Sequence, residues 1–504
     1  MEVTTENNEP LSSLIRYGTI GPAMRSNEAP PHQTNLAWDV LLELEGGGRD
    51  ALHSRLRRSL VAAIRAGRLA PGAVLPPSRT LASELGCSRW VVTEAYAQLI
   101  AEGYLAGRTG SGTRVSWSDP PPSTVRVTAS RPVGTPRLDL GPGLPDLRAF
   151  PRQPWVSTIR AEVQRMALVD LGFRAPGGHP RLRRTLAEYL RRVRGVVAGA
   201  DDVTVCTGVT DGITRACRAL AAVGIATVAV EDPMWRRLAR AAAAADMTIV
   251  SLPVDGRGIR VADLAAHPEV RAAIVGPAHQ FPTGVVLEPG RRAALLEWAR
   301  RVDGVILEDD YDAEFRYDGR PVATVQGMDP SRVLLFGSVS KTLSPALGIG
   351  WIVAPRRWTD AIRATSVSPD GPPTLDQLAF ATFIETGSLD RHLRSCRSRY
   401  RRRRDALVQA IRSELPECRL SGIAAGLHVL VSLPDRVDAA AVAAEAAAWG
   451  VRVHNLDRYR ACPAPAEPGL VLGYGNLADH AVMEAVGTLA RAVEQVRARS
   501  APAS

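Results

Sequence analysis

Lysine is almost missing from this 504-residue chain. Its 62 Lys+Arg residues comprise one lysine, Lys341, and otherwise arginine. Long apolar runs are missing too, and none approaches the roughly 20 residues that cross a bilayer. The six cysteines (Cys87, Cys206, Cys217, Cys396, Cys418, Cys462) are scattered and never form C-x-x-C. That spacing excludes a disulfide frame or a zinc knuckle and implies reduced, mostly structural thiols. The opening MEVTTENNEP is acidic and polar, without the basic-then-apolar plan of a signal peptide, so a cytoplasmic location is expected. What remains, 45% hydrophobic and 23% charged, is the composition of a folded soluble protein. The length calls for two or three domains.

The net charge of +10 is concentrated. Residues 50–115 hold nine arginines and four acids, so half of the excess lies in that stretch. A localised basic balance points towards nucleic acid. In ALHSRLRRSLVAAIRAGRLAPG, Leu52, Leu56, Leu60 and Ile64 recur every four residues and form one helix face, with Pro71-Gly72 as the expected stop. LPPSRTLASELG follows as a second, short helix with Ser78 as its expected N-cap and Gly86 as its end. Ser88 caps a third, SRWVVTEAYAQLIAEG. Two helices joined so closely have the spacing of a helix-turn-helix, whose second member presents its first residues to base edges. YLAGRTGSGTRV then reads as a two-stranded wing around a basic, glycine-rich loop. Trp90 is expected to pack in the core, with stacking on a sugar as the alternative.

Beyond a proline-rich stretch, short β-branched runs alternate with helical patterns: DVTVCTG, ATVAVEDP, MTIVSLPV, RAAIVGP, GVILEDD, RVLLFGSVSK and GIGWIVAP. That alternation predicts an α/β domain with a mainly parallel sheet and helices on both faces. Ligand groups in such sheets gather at strand C-terminal ends, where Asp309, Tyr311, Ser338 and Lys341 all fall. Arginine can replace lysine as a charge but not as a neutral amine that attacks a carbonyl. A lone lysine in S-V-S-K at a strand end therefore raises Schiff-base chemistry.

The segment GRLAPGAVLPPSRTLASELGCSRWVVTEAYAQLIAEGYL with RTGSGTRV resembles the winged helix-turn-helix of the GntR regulators. EDDYDAEFRYDGRP, RVLLFGSVSKTLSPALGIGWIVAP and PAHQFPTGV resemble the aminotransferase-type domain of fold type I pyridoxal-phosphate proteins. Their fusion through a linker is the layout of the MocR/GabR family of transcriptional regulators. Residues 1–35, polar with Pro30-Pro31, read as a flexible arm and the proline-rich 116–137 as the linker, and the resemblance implies 36–115 as the DNA-binding domain and 138–500 as an aminotransferase-like domain with a small C-terminal α+β subdomain. It implies double-stranded DNA, a small-molecule effector and a second copy of the chain, paired head to tail, as partners. Arg79, Ser88, Arg89, Thr93, Arg108 and Gly110 become the DNA contacts. Arg89 can fork onto guanine, and Arg79 and Arg108 hold phosphate or enter the minor groove.

For pyridoxal 5'-phosphate the resemblance implies Lys341 for the aldehyde, Asp309 for the ring nitrogen, Tyr311 near the ring oxygen and Trp235 on the ring face. Ser338 and the turn Gly208-Val209-Thr210 serve the phosphate. Gln280 lines the matching edge, and His279 either lines it too or packs in the core. Two positions depart from the family. Gly348 stands where it usually has an arginine seven residues after the lysine, and Asp211 stands where its phosphate loop usually ends in Gln. Both weaken the expected phosphate grip. Arg452, Arg458 and Arg460 are the candidates for holding a substrate carboxylate. Three functions follow: a regulator that senses the cofactor or an amine condensed with it, a regulator whose second domain serves as a scaffold, and a working aminotransferase. The winged helix favours the first two.

Overall fold

The computed structural model describes residues 51–108, 112–117, 136–174, 176–317, 322–365, 371–435, 437–461 and 467–500. The chain divides into two compact units, residues 1–132 and 133–504. The expected arm and most of the linker lie outside the described residues. Among the described residues no helix is long and apolar enough to cross a membrane.

The first unit is built on α1 (Leu52–Arg65), β1 (Val74–Leu75), α2 (Ser78–Glu84), α3 (Arg89–Ala101), β2 (Leu105–Arg108) and β3 (Gly112–Val115). Leu56, Leu60 and Ile64 bury the predicted face of α1 against Leu81, Val92 and Leu99, while Leu52 in the first turn stays exposed. The helix ends earlier than Pro71-Gly72. Gly67 takes φ +71 and the Leu69 amide turns back onto the Ala63 carbonyl at 3.2 Å, so glycine's left-handed freedom ends it first. Ser78 is the first residue of α2 and Pro77 holds the cap position. Ser88 does hold the cap position of α3, yet its hydroxyl makes no capping bond. The wing has a third strand, since β3 pairs antiparallel with both β2 and β1.

In the second unit β4 (Leu138–Asp139) precedes helices α4 (Arg152–Arg165) and α5 (Pro180–Arg194). An eight-stranded sheet follows: β5 (Val203–Cys206), β6 (Thr227–Asp232), β7 (Thr248–Asp255), β8 (Gly258–Ile259), β9 (Ala272–Val275), β10 (Val305–Asp309), β11 (Val333–Ser338) and β12 (Gly350–Val353). Its order is β5-β12-β11-β10-β9-β6-β7-β8. β12 runs antiparallel to both neighbours and β8 antiparallel to β7, and the other pairs are parallel. All seven predicted β-branched runs are strands of this sheet.

Each strand feeds both faces. In β10, Val305 and Leu307 join one apolar cluster with Phe336 and Ile352, whereas Ile306 joins another with Val333 and Trp298. α6 (Val209–Ala222) and α7 (Arg236–Ala243) cover the first face. A four-stranded antiparallel sheet near the C-terminus, with the helices Ala439–Ala448 and Val482–Ser500, forms the smaller α+β part.

Glu231 in β6 is buried among apolar strands. Its carboxyl accepts from the Gly276 amide at 3.1 Å and the Gln280 amide nitrogen at 3.3 Å, and no cation pairs with it among the described residues. Burial, aided by Asp309, pushes its pKa up to about 8. The unfolded chain gives up this proton near pH 4.3. The native state therefore binds more protons between those two values, and the stability it contributes is lost as pH rises through the folded pKa. The melting temperature of the cofactor-free protein is expected to fall from pH 6 to pH 9. Glu231→Gln is expected to flatten that slope by up to about 1.4 kcal/mol per pH unit. Equal slopes in both proteins, measured by calorimetry, contradict this assignment.

Candidate functional sites

In the first unit, Gly86 at φ +61 turns the chain between α2 and α3. Arg79 on α2, Ser88, and Arg89 and Thr93 on α3 are all exposed. Arg89 and Thr93, four residues apart, share one face of the second helix. The Arg89 guanidinium donates to the Ser78 hydroxyl at 3.4 Å, a weak restraint that holds it at the helix entrance. Thr93 donates its hydroxyl to the Arg89 carbonyl at 2.9 Å. Arg108 ends β2, whereas Gly110 lies outside the described residues. Trp90 is not in the core. It is 62% exposed beside Arg89, and its ring meets His53 edge to face at 5.5 Å. The apolar face of α3 is already filled by Val91, Val92, Ala95 and Leu99, which leaves the indole outside.

In the second unit β5, β10 and β11 run in one direction and end at the same edge of the sheet, with β12 between β5 and β11, and the loops that follow them enclose a cavity of about 490 Å³. Gly208, Val209 and Thr210 line it on one side, and Trp235, Asp309, Tyr311, Ser338 and Lys341 line it as well. These eight expected cofactor residues are thus brought together. Gly208, at φ +150, adopts backbone that side-chain-bearing residues avoid. The turn also packs so close to β12 that a Cβ on Gly350 would lie 2.6 Å from the Gly208 Cα. The helix α6 begins here, so its first-turn amides face the cavity.

Lys341 follows β11 and its ammonium donates to the Gly143 carbonyl at 2.5 Å. Its Nζ also lies 5.9 Å from the centre of the Trp235 ring. Burial lowers its pKa, opposed by Asp312 and Asp309 and helped by Arg237. Asp309, the last residue of β10, has its pKa pushed up to about 7, first by burial and then by Asp310 and Asp312, with Lys341 pulling the other way. Its Oδ1 is buried without a hydrogen-bond partner among the described residues. A buried carboxylate oxygen left open, a desolvated amine, a flat indole and a helix N-terminus together fit a pyridoxal-type cofactor. Asp309 would face its ring nitrogen, Lys341 its aldehyde and the Gly208–Thr210 turn its phosphate.

Gln280 does not line this cavity. Its amide nitrogen donates to the carbonyls of Pro233 and Phe281, both at 2.7 Å, and its carbonyl accepts from the Thr283 hydroxyl at 2.6 Å. It fastens two loops to each other. His279 is a buried network residue: Nδ1 lies 3.0 Å from both the Asp312 carboxylate and the Tyr311 hydroxyl. Asp211 lines the cavity but is already matched. One oxygen accepts from the Thr207 amide at 2.9 Å and the other from Arg215 at 2.8 Å. Gly348 sits at φ +57 with nothing within 4 Å of a Cβ placed there. None of the three candidate carboxylate anchors reaches the cavity. Arg452 pairs with Asp139 at 2.8 Å, Arg460 lies 3.3 Å from Asp457, and Arg458 is exposed elsewhere. The structure instead adds Gly143, Arg237, Phe281, Asp312 and His428 to the lining. Arg237 was within reach of sequence reasoning, two residues after Trp235 in the run that opens α7. His428 and Gly143 carry no local signal.

Residues 52–115 match the bacterial regulatory proteins of the gntR family, and residues 155–454 match aminotransferase class I and II. The chain is 33% identical over 468 residues to the probable rhizopine catabolism regulatory protein MocR of Rhizobium meliloti, covering 88% of this chain and 94% of that one. It is 31% identical over 444 residues to the HTH-type pyridoxine biosynthesis transcriptional regulator PdxR of Corynebacterium glutamicum, covering 87% and 95%. Among solved structures, an archaeal alanine:glyoxylate aminotransferase shares the fold at TM-score 0.66 and 22% identity, over 71% of this chain and 91% of that one. The multiple substrate aminotransferase of Thermococcus profundus superimposes at TM-score 0.65 and 25% identity, over 73% and 93%. The chain therefore belongs to the MocR-type transcriptional regulators, in which a GntR-family winged helix-turn-helix is joined to a domain of the class I and II aminotransferase family.

Proposed function

We propose that this regulator reads an operator through Arg79, Ser88, Arg89, Thr93, Arg108 and Gly110, and senses pyridoxal 5'-phosphate, or an amine or amino acid joined to it, in the Lys341 cavity. The observation that carries the sensing role is that a desolvated Lys341 shares its cavity with the open oxygen of Asp309, in a chain that has no other lysine. When bound, the cofactor supplies an aldehyde that condenses reversibly with amines. The chain's own part is to keep Lys341 short of water and to orient the ligand between Trp235 and Asp309. A regulatory rather than catalytic use is supported by the winged helix-turn-helix of the first unit and by the relatives that share the two-domain layout, which are transcriptional regulators. The exposed stretch Leu168, Val169, Leu171 and Phe173, the last 99% exposed, supports pairing of two copies through the second unit. Apolar groups left in water at this density mark an interface.

Arg89→Ala is expected to cost about 1–3 kcal/mol on a selected operator and to relax base preference at one position. Arg108→Ala is expected to weaken binding to all duplexes alike and to lower the salt slope by about 1. Identical sequence preference in wild type and Arg89→Ala removes the direct contact.

Because Lys341 is the sole lysine, covalent trapping is clean. Borohydride reduction with pyridoxal 5'-phosphate is expected to add a phosphopyridoxyl group, the cofactor less one water and plus two hydrogens, to the Lys341 peptide of wild type and not to that of Lys341→Ala. Operator titrations of both proteins, with and without cofactor, then test sensing, since a ligand shifts affinity only by binding two states unequally. Four superimposable curves leave the cofactor without a regulatory role.

Sedimentation at micromolar concentration is expected to give twice the 54.0 kDa chain mass. The double variant Leu168→Asp, Phe173→Asp is expected to shift it to monomer. A monomeric wild type contradicts the pairing.

A further inference from the structure

A second hollow in the same unit, of about 490 Å³, shares no lining residue with the Lys341 cavity. Three segments distant in sequence converge on it: the end of α5, the loop after β10 and the long helix Ser388–Glu414. Tyr189 and Leu393, both buried, give it an apolar floor. Arg192, Arg194, Arg316, Arg394 and Arg397 stand around that floor. Arginine is common in this chain, and cations suit the last turn of α5 beside the helix carbonyls. Neither fact explains why guanidiniums from all three segments crowd one hollow.

Their partners do not balance them. Arg194 is matched, since two of its nitrogens meet the Asp310 carboxylate at 2.8 and 2.7 Å. Arg192 lies 3.1 Å from Asp390 in a pair open to water, and such pairs are weak. Arg397 donates twice to the Glu314 backbone carbonyl, at 3.0 and 2.9 Å, and a carbonyl carries no net charge. Arg394 is exposed and makes no hydrogen bond or ion pair among the described residues. Glu314 and Asp390 are the acids that line the hollow. Burial, with Asp310 beside it, pushes the Glu314 carboxyl up to about 7, so near neutral pH it supplies only part of a charge. Five guanidiniums thus meet fewer than three negative charges.

A hollow of this volume has the size of a small-molecule site. Guanidiniums pair their N–H groups with the oxygens of phosphate and carboxylate. A DNA duplex presents its phosphates on a convex surface, which would rest on the rim without reaching Tyr189 and Leu393. We propose that this hollow is a second ligand site, taking a compact anion that carries two or more phosphate or carboxylate groups, with Arg394, Arg397 and Arg192 as its grips. The loop that brings Tyr311 and Asp312 to the Lys341 cavity continues into Ala313 and Glu314 here, so one loop serves both sites.

The test uses full-length wild type, Arg394→Glu and Arg192→Gln, both at exposed positions that leave the core untouched. Binding of pyrophosphate, of citrate and of acetate as a single-charge control is measured by calorimetry at matched ionic strength. Arginine labelling by phenylglyoxal, mapped by peptide mass, locates each anion on wild type without any substitution. Saturable binding of pyrophosphate or citrate is expected, with acetate at least about tenfold weaker. Arg394→Glu is expected to lose roughly tenfold or more, Arg192→Gln less, and Arg394 is expected to be shielded from the label. Binding of pyrophosphate alone assigns a phosphate ligand, and binding of citrate alone a carboxylate ligand. No saturable binding, equal affinity in wild type and Arg394→Glu, or an unshielded Arg394 overturns the proposal. So does shielding of Arg394 by an unrelated DNA duplex and by neither small anion, which gives these arginines to a nucleic-acid backbone instead.

Discussion

The removal of water from one amine is the constraint around which the second unit is arranged. Lys341 keeps its ammonium close to the Gly143 carbonyl and the Trp235 ring, and burial biases it towards the neutral form. That bias holds only because β5, β10 and β11 end at the same edge of the sheet and the loops that follow them close around the amine. Asp309 feels the same burial in the opposite sense, since desolvation favours the uncharged state of acids and bases alike. Opposing that burial, Asp312 and then Asp309 favour the charged amine, and Lys341 favours the charged form of Asp309.

The same accounting explains the two departures from the family. Asp211, beside an expected dianion, looks unfavourable when read alone. In the fold it is held by Arg215 one helical turn on, and it fixes the Thr207 amide, so it acts as a brace for the turn. Gly348 removes a guanidinium from one wall, while Arg237 places one on another.

The winged helix follows a different economy. Its core is closed by leucines and valines from three short helices and a three-stranded sheet, so the polar and aromatic residues at the start of α3 have nowhere to go but outward. Trp90 shows how firmly this holds: even the largest apolar side chain is excluded once Val91 and Val92 occupy the inner face.

By itself, the sequence determined the elements and their order. Four-residue leucine spacing, β-branched runs and the S-V-S-K lysine are local patterns, and the backbone turns them into helices, strands and a strand-end amine without help from distant residues. It also placed Asp309, Tyr311, Ser338 and Trp235, because parallel strands direct their following loops to one edge. Boundaries that depend on a single residue's φ, such as the end of α1 at Gly67, were less legible. Only the tertiary structure decided which side chains face the cavity. Gln280 and His279 sit in a matching motif yet turn inward, since buried polar groups go where donors and acceptors meet them. Arg452 and Arg460 were claimed by Asp139 and Asp457 before they could serve a ligand. Gly143 and His428 arrive from segments remote in the chain. Which partner a polar group finds is fixed by long-range packing, and that is the information a linear pattern does not carry.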